Sequence, residues 1–143
     1  MRVVDANVLL YAVNADTAHH QASHRWLNAA LAGGDTVAFS WTVLTAFVRI
    51  STKVGLFPHP LSPDDAMAQV ENWLRAPGAT VVHPSSAHLG ILTRLLLGVG
   101  TGGNLVNDAH LAALALEHGA TVVSYDADFS RFAGLRWDRP DAL

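Results

Sequence analysis

Short, nearly unbroken apolar runs separated by helix-length segments constrain this chain more than any other feature. Arg2-Val3-Val4, Thr36-Val37-Ala38-Phe39, Thr80-Val81-Val82 and Thr121-Val122-Val123-Ser124-Tyr125 are rich in β-branched residues and bounded by polar or turn-forming ones. Runs without polar alternation suit strands covered on both faces, as in a parallel sheet. Leu135-Arg136-Trp137 is a short fifth candidate. The expected fold class is therefore α/β, with a central parallel sheet of four to five strands flanked by helices on both faces. With 143 residues, half of them hydrophobic, the chain suits one domain over 1–143.

The intervening segments carry helical signals. After Asp5 and Asn7, Val8-Leu9-Leu10-Tyr11 suits a strand turning into a helix. Residues 17–32 read as a helix with Asp16 as N-cap, Ala22, Trp26 and Ala29 on its inner face, and Gly33-Gly34 as its end. Val43, Phe47, Ile50 and Val54 give the next stripe. Ser62-Pro63-Asp64-Asp65 marks a helix start: a cap, a proline at the first position and two acids near the positive end of the dipole. A Leu-rich helix begins at Ser85 or Ser86 and runs out in the glycines at 98–103; a last one starts between Asn104 and Asp108 and ends at Gly119.

Absence of cysteine excludes disulfides, thiolate nucleophiles and zinc–thiolate sites, so a bound metal would take oxygen or imidazole ligands. No signal peptide or membrane-length apolar stretch is evident, and a cytoplasmic location with no membrane contact is expected. A net charge of −3 and a single lysine, Lys53, argue against a broad polyanion-binding surface. Phosphate contacts would fall to arginines such as Arg25, Arg49, Arg94 and Arg131.

Three acids stand out. Asp5 and Asp126 each follow a strand, and Asp108 lies in the first turn of the helix leading into the second of those strands. Alone, each suits a cap, a dipole partner or a loop start. Gathered at the carboxyl ends of parallel strands, they repel one another unless a cation neutralises them. Mg²⁺, or Mn²⁺, suits a site of two or three carboxylates plus a substrate phosphate, and such an ion can activate water for attack on phosphorus. Asp128 extends the cluster, with less support, and Asn7 and Ser124 are candidates to orient its members from behind.

Other motifs carry less. His20 and His24 are four apart, but Gln21 stands where a zinc hydrolase needs Glu, so a solvated helical face is expected. His110, two positions from Asp108, is expected to point away from it and be structural. The glycines at 98, 100, 102 and 103 lack the Gly-Lys-Ser/Thr of a phosphate loop and read as a flexible rim. Aspartyl-phosphate chemistry would need a second early acid or a late lysine. Leu56-Phe57-Pro58 and the aromatic helix from Trp41 to Phe47 suggest a partner-binding surface near the acids.

In order along the chain, Val4-Asp5-Ala6-Asn7-Val8-Leu9-Leu10-Tyr11-Ala12, Trp41 through Thr52, Gly102-Gly103-Asn104-Leu105-Val106 with Asp108-Ala109-His110-Leu111-Ala112-Ala113, and Val123-Ser124-Tyr125-Asp126-Ala127-Asp128-Phe129 resemble PIN-domain endoribonucleases. Among these, the sequence is most similar to VapC-type toxins of type II toxin–antitoxin systems, especially the mycobacterial kind. The resemblance implies a PIN-like fold, Mg²⁺-dependent RNA cleavage, a homodimer and inhibition by a cognate VapB-type antitoxin. It matches the family's first, third and fourth acidic positions to Asp5, Asp108 and Asp126, and an additional acid to Asp128. Where many members carry a second acid, as Glu, this sequence has Ala46, and its two glutamates, Glu71 and Glu117, lie elsewhere. The alternative is a catalytically weak or inactive module that binds RNA or antitoxin.

Overall fold

The computed structural model describes residues 1–143. Its strands are β1 (Arg2–Val4), β2 (Val37–Phe39), β3 (Ala79–Val81), β4 (Thr121–Val123) and β5 (Trp137–Asp138). The helices are α1 (Ala6–Val13), α2 (His20–Ala29), α3 (Trp41–Ser51), α4 (Pro63–Arg75), α5 (His88–Val99) and α6 (Leu105–Glu117). All strand pairs are parallel, in the order β3-β2-β1-β4-β5. The chain steps outward from β1 through β2 to β3, then returns to the other side of β1. That reversal leaves a crevice beyond the carboxyl ends of β1 and β4.

Burial explains the unbroken apolar runs. Every residue of β2 and β4 is buried, as are Val3 and Val4 of β1, whereas the edge strands are only half-buried. No hydrophilic face is possible on the central strands because side chains on both faces enter the core. Phe39, Phe47 and Trp73 tie the sheet to α3 and α4: the Phe47 and Trp73 rings meet edge-on at 4.8 Å, and Phe39 stacks on Trp73 at 6.2 Å. Phe47 is fully buried, so truncating it to Ala should cost about 3–5 kcal/mol.

Local chemistry sets the helix starts. Ser62 Oγ accepts the Asp65 N–H at 3.1 Å, with Pro63 at the first helical position and Asp64 and Asp65 in the first turn, as expected. Ser40 caps α3 through the Val43 N–H at 3.3 Å. Asp16, expected to cap the second helix, does not. Its N–H donates to Asn14 Oδ1, Thr17 folds back onto the Asn14 carbonyl, and α2 begins only at His20. The Asn14-centred turn competes successfully with helix initiation. The inner face of α2 also differs: Ser23, Trp26, Leu27, Ala30 and Leu31 are buried and Ala29 is exposed. The two leucines bury more apolar area than the alanines would, and they set the helix's rotation. The run ends in a wide π-type turn over Ala30–Gly34, in which Gly33 adopts a φ of 117°.

Two further boundaries move for identifiable reasons. α5 starts at His88 rather than at a serine, because the Ser85 N–H and Oγ both donate to Glu117. β4 ends at Val123: the Ser124 N–H still donates to the Asp138 carbonyl of β5, but the Tyr125 N–H leaves the sheet for Asn7 Oδ1. No helix is long and apolar enough to cross a membrane.

Candidate active site

The crevice at the β1/β4 reversal gathers the acids. Asp5 is the N-cap of α1, its Oδ1 accepting the Ala6 N–H at 2.7 Å. Its Oδ2 accepts the Ser124 hydroxyl at 2.6 Å and an Asn7 amide hydrogen at 3.1 Å. The other Asn7 amide hydrogen goes to Ser124 Oγ at 3.0 Å, and Asn7 Oδ1 accepts the Tyr125 N–H at 3.2 Å. That pattern fixes the Asn7 amide in one orientation, because only its oxygen can accept from a backbone N–H. Ser124 Oγ also accepts the Asp126 N–H at 2.9 Å, joining the end of β4 to that of β1. Asn7 and Ser124 thus hydrogen-bond Asp5 and the backbone of Asp126.

Asp108, Asp126 and Asp128 each offer a carboxylate oxygen, and these oxygens lie within 4.8 Å of one another. Asp108 is in the first turn of α6; Asp126 caps the 3₁₀ turn Ala127–Arg131, its Oδ1 accepting the Asp128 N–H at 2.9 Å. Asp5 lies outside this triplet but lines the same cavity as Asp108, about 470 Å³ in volume. Its oxygens already serve three donors from its own chain.

The electrostatics follow from the crowding. Burial, then the charges of Asp126, Asp5 and Asp128, push Asp108 up to about 7. Asp5 is raised too, mainly by burial, although the Ser124 and Ala6 hydrogen bonds oppose the shift. The only ion pair made by any of the four is Asp128 with Arg131, at a loose 3.8 Å between exposed groups. A divalent cation fits this donor set: the oxygens are hard, and opposite ligands of an octahedral Mg²⁺ stand about 4.2 Å apart for bonds of about 2.1 Å. Small carboxylate movements would bring the three acids to such an ion.

Ala46 lines the cavity beside Asp5 and Asp108, so the position that resemblance matches to a second acid does face the site and contributes only a methyl group. Neither glutamate replaces it. Glu71 pairs with Arg75 on α4 at 2.6 Å. Glu117, its side chain 2% exposed, accepts from Ser85 and lies 2.8 Å from His88 Nδ1. His88 Nε2 in turn lies 2.9 Å from His110 Nδ1. His110, expected to point away from the acids, contacts His88 but lines their cavity. The cavity wraps the first two turns of α6, touching Asn107, Asp108, His110 and Leu111, so a two-residue offset is not enough to leave it. Burial foremost, then His88, lowers the His110 pKa, with Glu117 opposing. Sequence reasoning missed the Glu117–His88–His110 chain, because its members are dispersed over two helices.

The other candidates fall away from the site. His20 Nδ1 is 2.9 Å from the Tyr11 carbonyl and His24 contacts Asn28; the two rings lie 5.3 Å apart, but no third His, Asp or Glu joins them in a group that could hold an ion. Gly100 ends α5 with a φ of 73°, a capping role. Beside the acidic cavity, and sharing Thr45 and Arg49 with it, lies an apolar cleft walled by Trp41, Leu44, Val48 and Met67.

The PIN domain family profile matches residues 2–135. The chain is 62% identical to ribonuclease VapC37 of Mycobacterium tuberculosis over 143 residues, covering 100% of this chain and 99% of that one. It is 42% identical to ribonuclease VapC43 of the same species over 141 residues, 98% and 95% of the two chains. Among solved structures, VapBC2 from Rickettsia felis bound to a promoter DNA fragment aligns with a TM-score of 0.69 at 22% identity, over 96% of this chain and 97% of that one. Mycobacterium tuberculosis VapC20, a sarcin–ricin loop cleaving toxin, aligns at 0.68 and 19%, over 95% and 99%. The two structures share the fold, and the sequence matches carry the lineage: the chain belongs to the PIN-domain family.

Proposed function

We propose that this chain is an Mg²⁺-dependent endoribonuclease and the toxin of a toxin–antitoxin pair. One observation carries the reading: three carboxylates within 4.8 Å of one another, with Asp5 beside them, at the strand reversal of a chain 62% identical to a named ribonuclease. Asp108, Asp126 and Asp128 would hold the ion, with Asp5 as the half-buried fourth acid, and Mn²⁺ would serve in place of Mg²⁺. The bound ion would supply positive charge for deprotonating a water and for steadying the charge on phosphorus. The water oxygen bonds to phosphorus as the bond to one sugar oxygen breaks, and that leaving oxygen takes up a proton. Asn7 and Ser124 keep Asp5 and the Asp126 backbone in place throughout.

Partner binding has its own support. The apolar cleft with Trp41 and Met67, each about half exposed, adjoins the acids and suits an apolar segment of a VapB-type antitoxin. VapBC2 and VapBC-1, from Rickettsia felis and nontypeable Haemophilus influenzae, are solved structures of the same fold. Leu89 and Leu97, about three-quarters exposed and eight positions apart on α5, would suit a homodimer face. The purified, antitoxin-free chain should cut total cellular RNA at discrete positions with Mg²⁺ or Mn²⁺, with no cuts under chelator or in Asp5→Ala. Folded wild type and mutant that leave RNA equally intact would instead favour the inactive RNA- or antitoxin-binding module that Ala46 raises.

A further inference from the structure

Arg49 lies one turn after Ala46 on α3 and lines the cavity that Asp5 and Asp108 share. It is the only arginine or lysine there. Several other arginines have partners: Arg2 binds Asp35 and Asp138, Arg75 binds Glu71, Arg131 loosely meets Asp128, Arg136 donates to the Gly119 carbonyl, and Arg139 lies over the Tyr125 ring; Arg25 and Arg94 lie away from this cavity. Arg49 joins none of the ion pairs, although it shares a cavity with two aspartates. Ala46, one turn earlier, lines the same cavity with only a methyl group. An arginine whose charge is not taken up by the carboxylates beside it is available to an incoming anion.

Charge balance indicates which anion. Four aspartates surround the site, and one divalent ion does not offset them, still less when a phosphodiester adds its own charge and displacement spreads more over its oxygens. A guanidinium offers two parallel N–H groups matched to two phosphate oxygens and stays protonated. We propose that Arg49 grips the two non-bridging oxygens of the scissile RNA phosphate from the α3 side and steadies the charge that grows on them. This assignment rests on the ribonuclease reading and adds a residue to it. No proton leaves Arg49 at any step: water supplies the new oxygen on phosphorus, and the departing sugar oxygen takes a proton.

The test uses a labelled oligoribonucleotide spanning a cut mapped in total RNA. Arg49→Gln should lower kcat/KM roughly a hundredfold, the usual order for losing one donor to a developing oxyanion. Arg49→Lys should recover part of that, and the melting temperature should not move, because the side chain is exposed. A second arm replaces the scissile phosphate by a neutral methylphosphonate and measures binding to the Asp108→Asn chain in Mg²⁺. Neutralising the phosphate should weaken binding when Arg49 is present and make little difference once it is Gln. The slope of log affinity against log salt should also fall by about 0.7 in Arg49→Gln, as for one lost single-strand phosphate contact. Wild-type cutting with Arg49→Gln within roughly twofold of it, or equal methylphosphonate penalties in both backgrounds, would overturn the assignment to Arg49 alone. A wild type that never cuts would overturn the ribonuclease reading, and this inference with it.

Discussion

The strand-end wall of the site and its helical wall satisfy their polar groups in opposite ways. At the strand ends, Asp5, Asn7, Ser124 and Asp126 exchange hydrogen bonds of 2.6 to 3.2 Å that leave no ambiguity in the amide's orientation. Along α3 and α6, Ala46 contributes a methyl group, Arg49 has no ion-pair partner, and Asp108 faces other acids. One wall is finished by the chain itself. The other has charges that only an ion and a substrate can complete, so pre-organisation resides in the first and responsiveness in the second.

The largest expected effect attacks the responsive wall. Asp108→Asn should reduce cleavage about a thousandfold, read in single-turnover assays at saturating Mg²⁺; activity near wild type would mean that the ion is held elsewhere. Next, Ser124→Ala removes the 2.6 Å donor to Asp5 and the acceptor for the Asp126 N–H. Mn²⁺ titration should show affinity weakened about tenfold to a hundredfold, whereas unchanged affinity would deny the strand-end wall its organising role.

Glu117→Gln sharpens the contrast from outside the acid cluster. It weakens a nearly buried carboxylate that serves Ser85 and His88. Urea unfolding should register a loss of about 1–3 kcal/mol with kcat little changed. A large fall in kcat at intact stability would instead place the Glu117–His88–His110 chain within the chemistry.

The smallest effect is a pH slope. Asp108 is raised from 3.8 to about 7, so between those values the folded chain holds a proton that the unfolded chain has released. Without metal, its contribution to stability is complete below pH 3.8 and is lost as pH rises through about 7. Thermal melts in chelator should therefore decline between pH 5 and pH 8 more in wild type than in Asp108→Asn, while Mg²⁺ affinity rises over the same interval. Equal declines in the two proteins would remove Asp108 as the source. Lowered Asp35 and Glu117 act with opposite sign, their stabilisation disappearing as the solution is acidified.

The sheet and the placement of Asp5 were legible because they depend on patterns with a strong physical cause. Buried parallel strands must be apolar throughout, and an aspartate directly after such a strand lies at the carboxyl edge. Ser62-Pro63-Asp64-Asp65 predicts its helix start for equally local reasons. Asp16 misleads because Asn14, two residues earlier, forms a turn that the cap preference does not weigh. Ser85 misleads because its hydrogen-bond acceptor is Glu117, 32 positions away. The placement of His110 in the cavity depends on how far the cavity extends around α6, which no periodicity encodes. Arg49 was visible as one arginine among several; what singles it out is its place as the only arginine or lysine lining the acidic cavity, a property of the packed molecule.

The hydrogen bond between Ser124 and Asp5 joins positions 119 apart in the chain. β4 can take its place beside β1 only after the intervening helices have been synthesised, and Asp126 and Asp128 emerge later still. A nascent chain that already displays Asp5 at the end of β1 thus has no acid cluster, and a fragment that stops before β4 could not assemble the proposed metal site. The topology delays the hazard until the chain can also offer a folded surface for restraint.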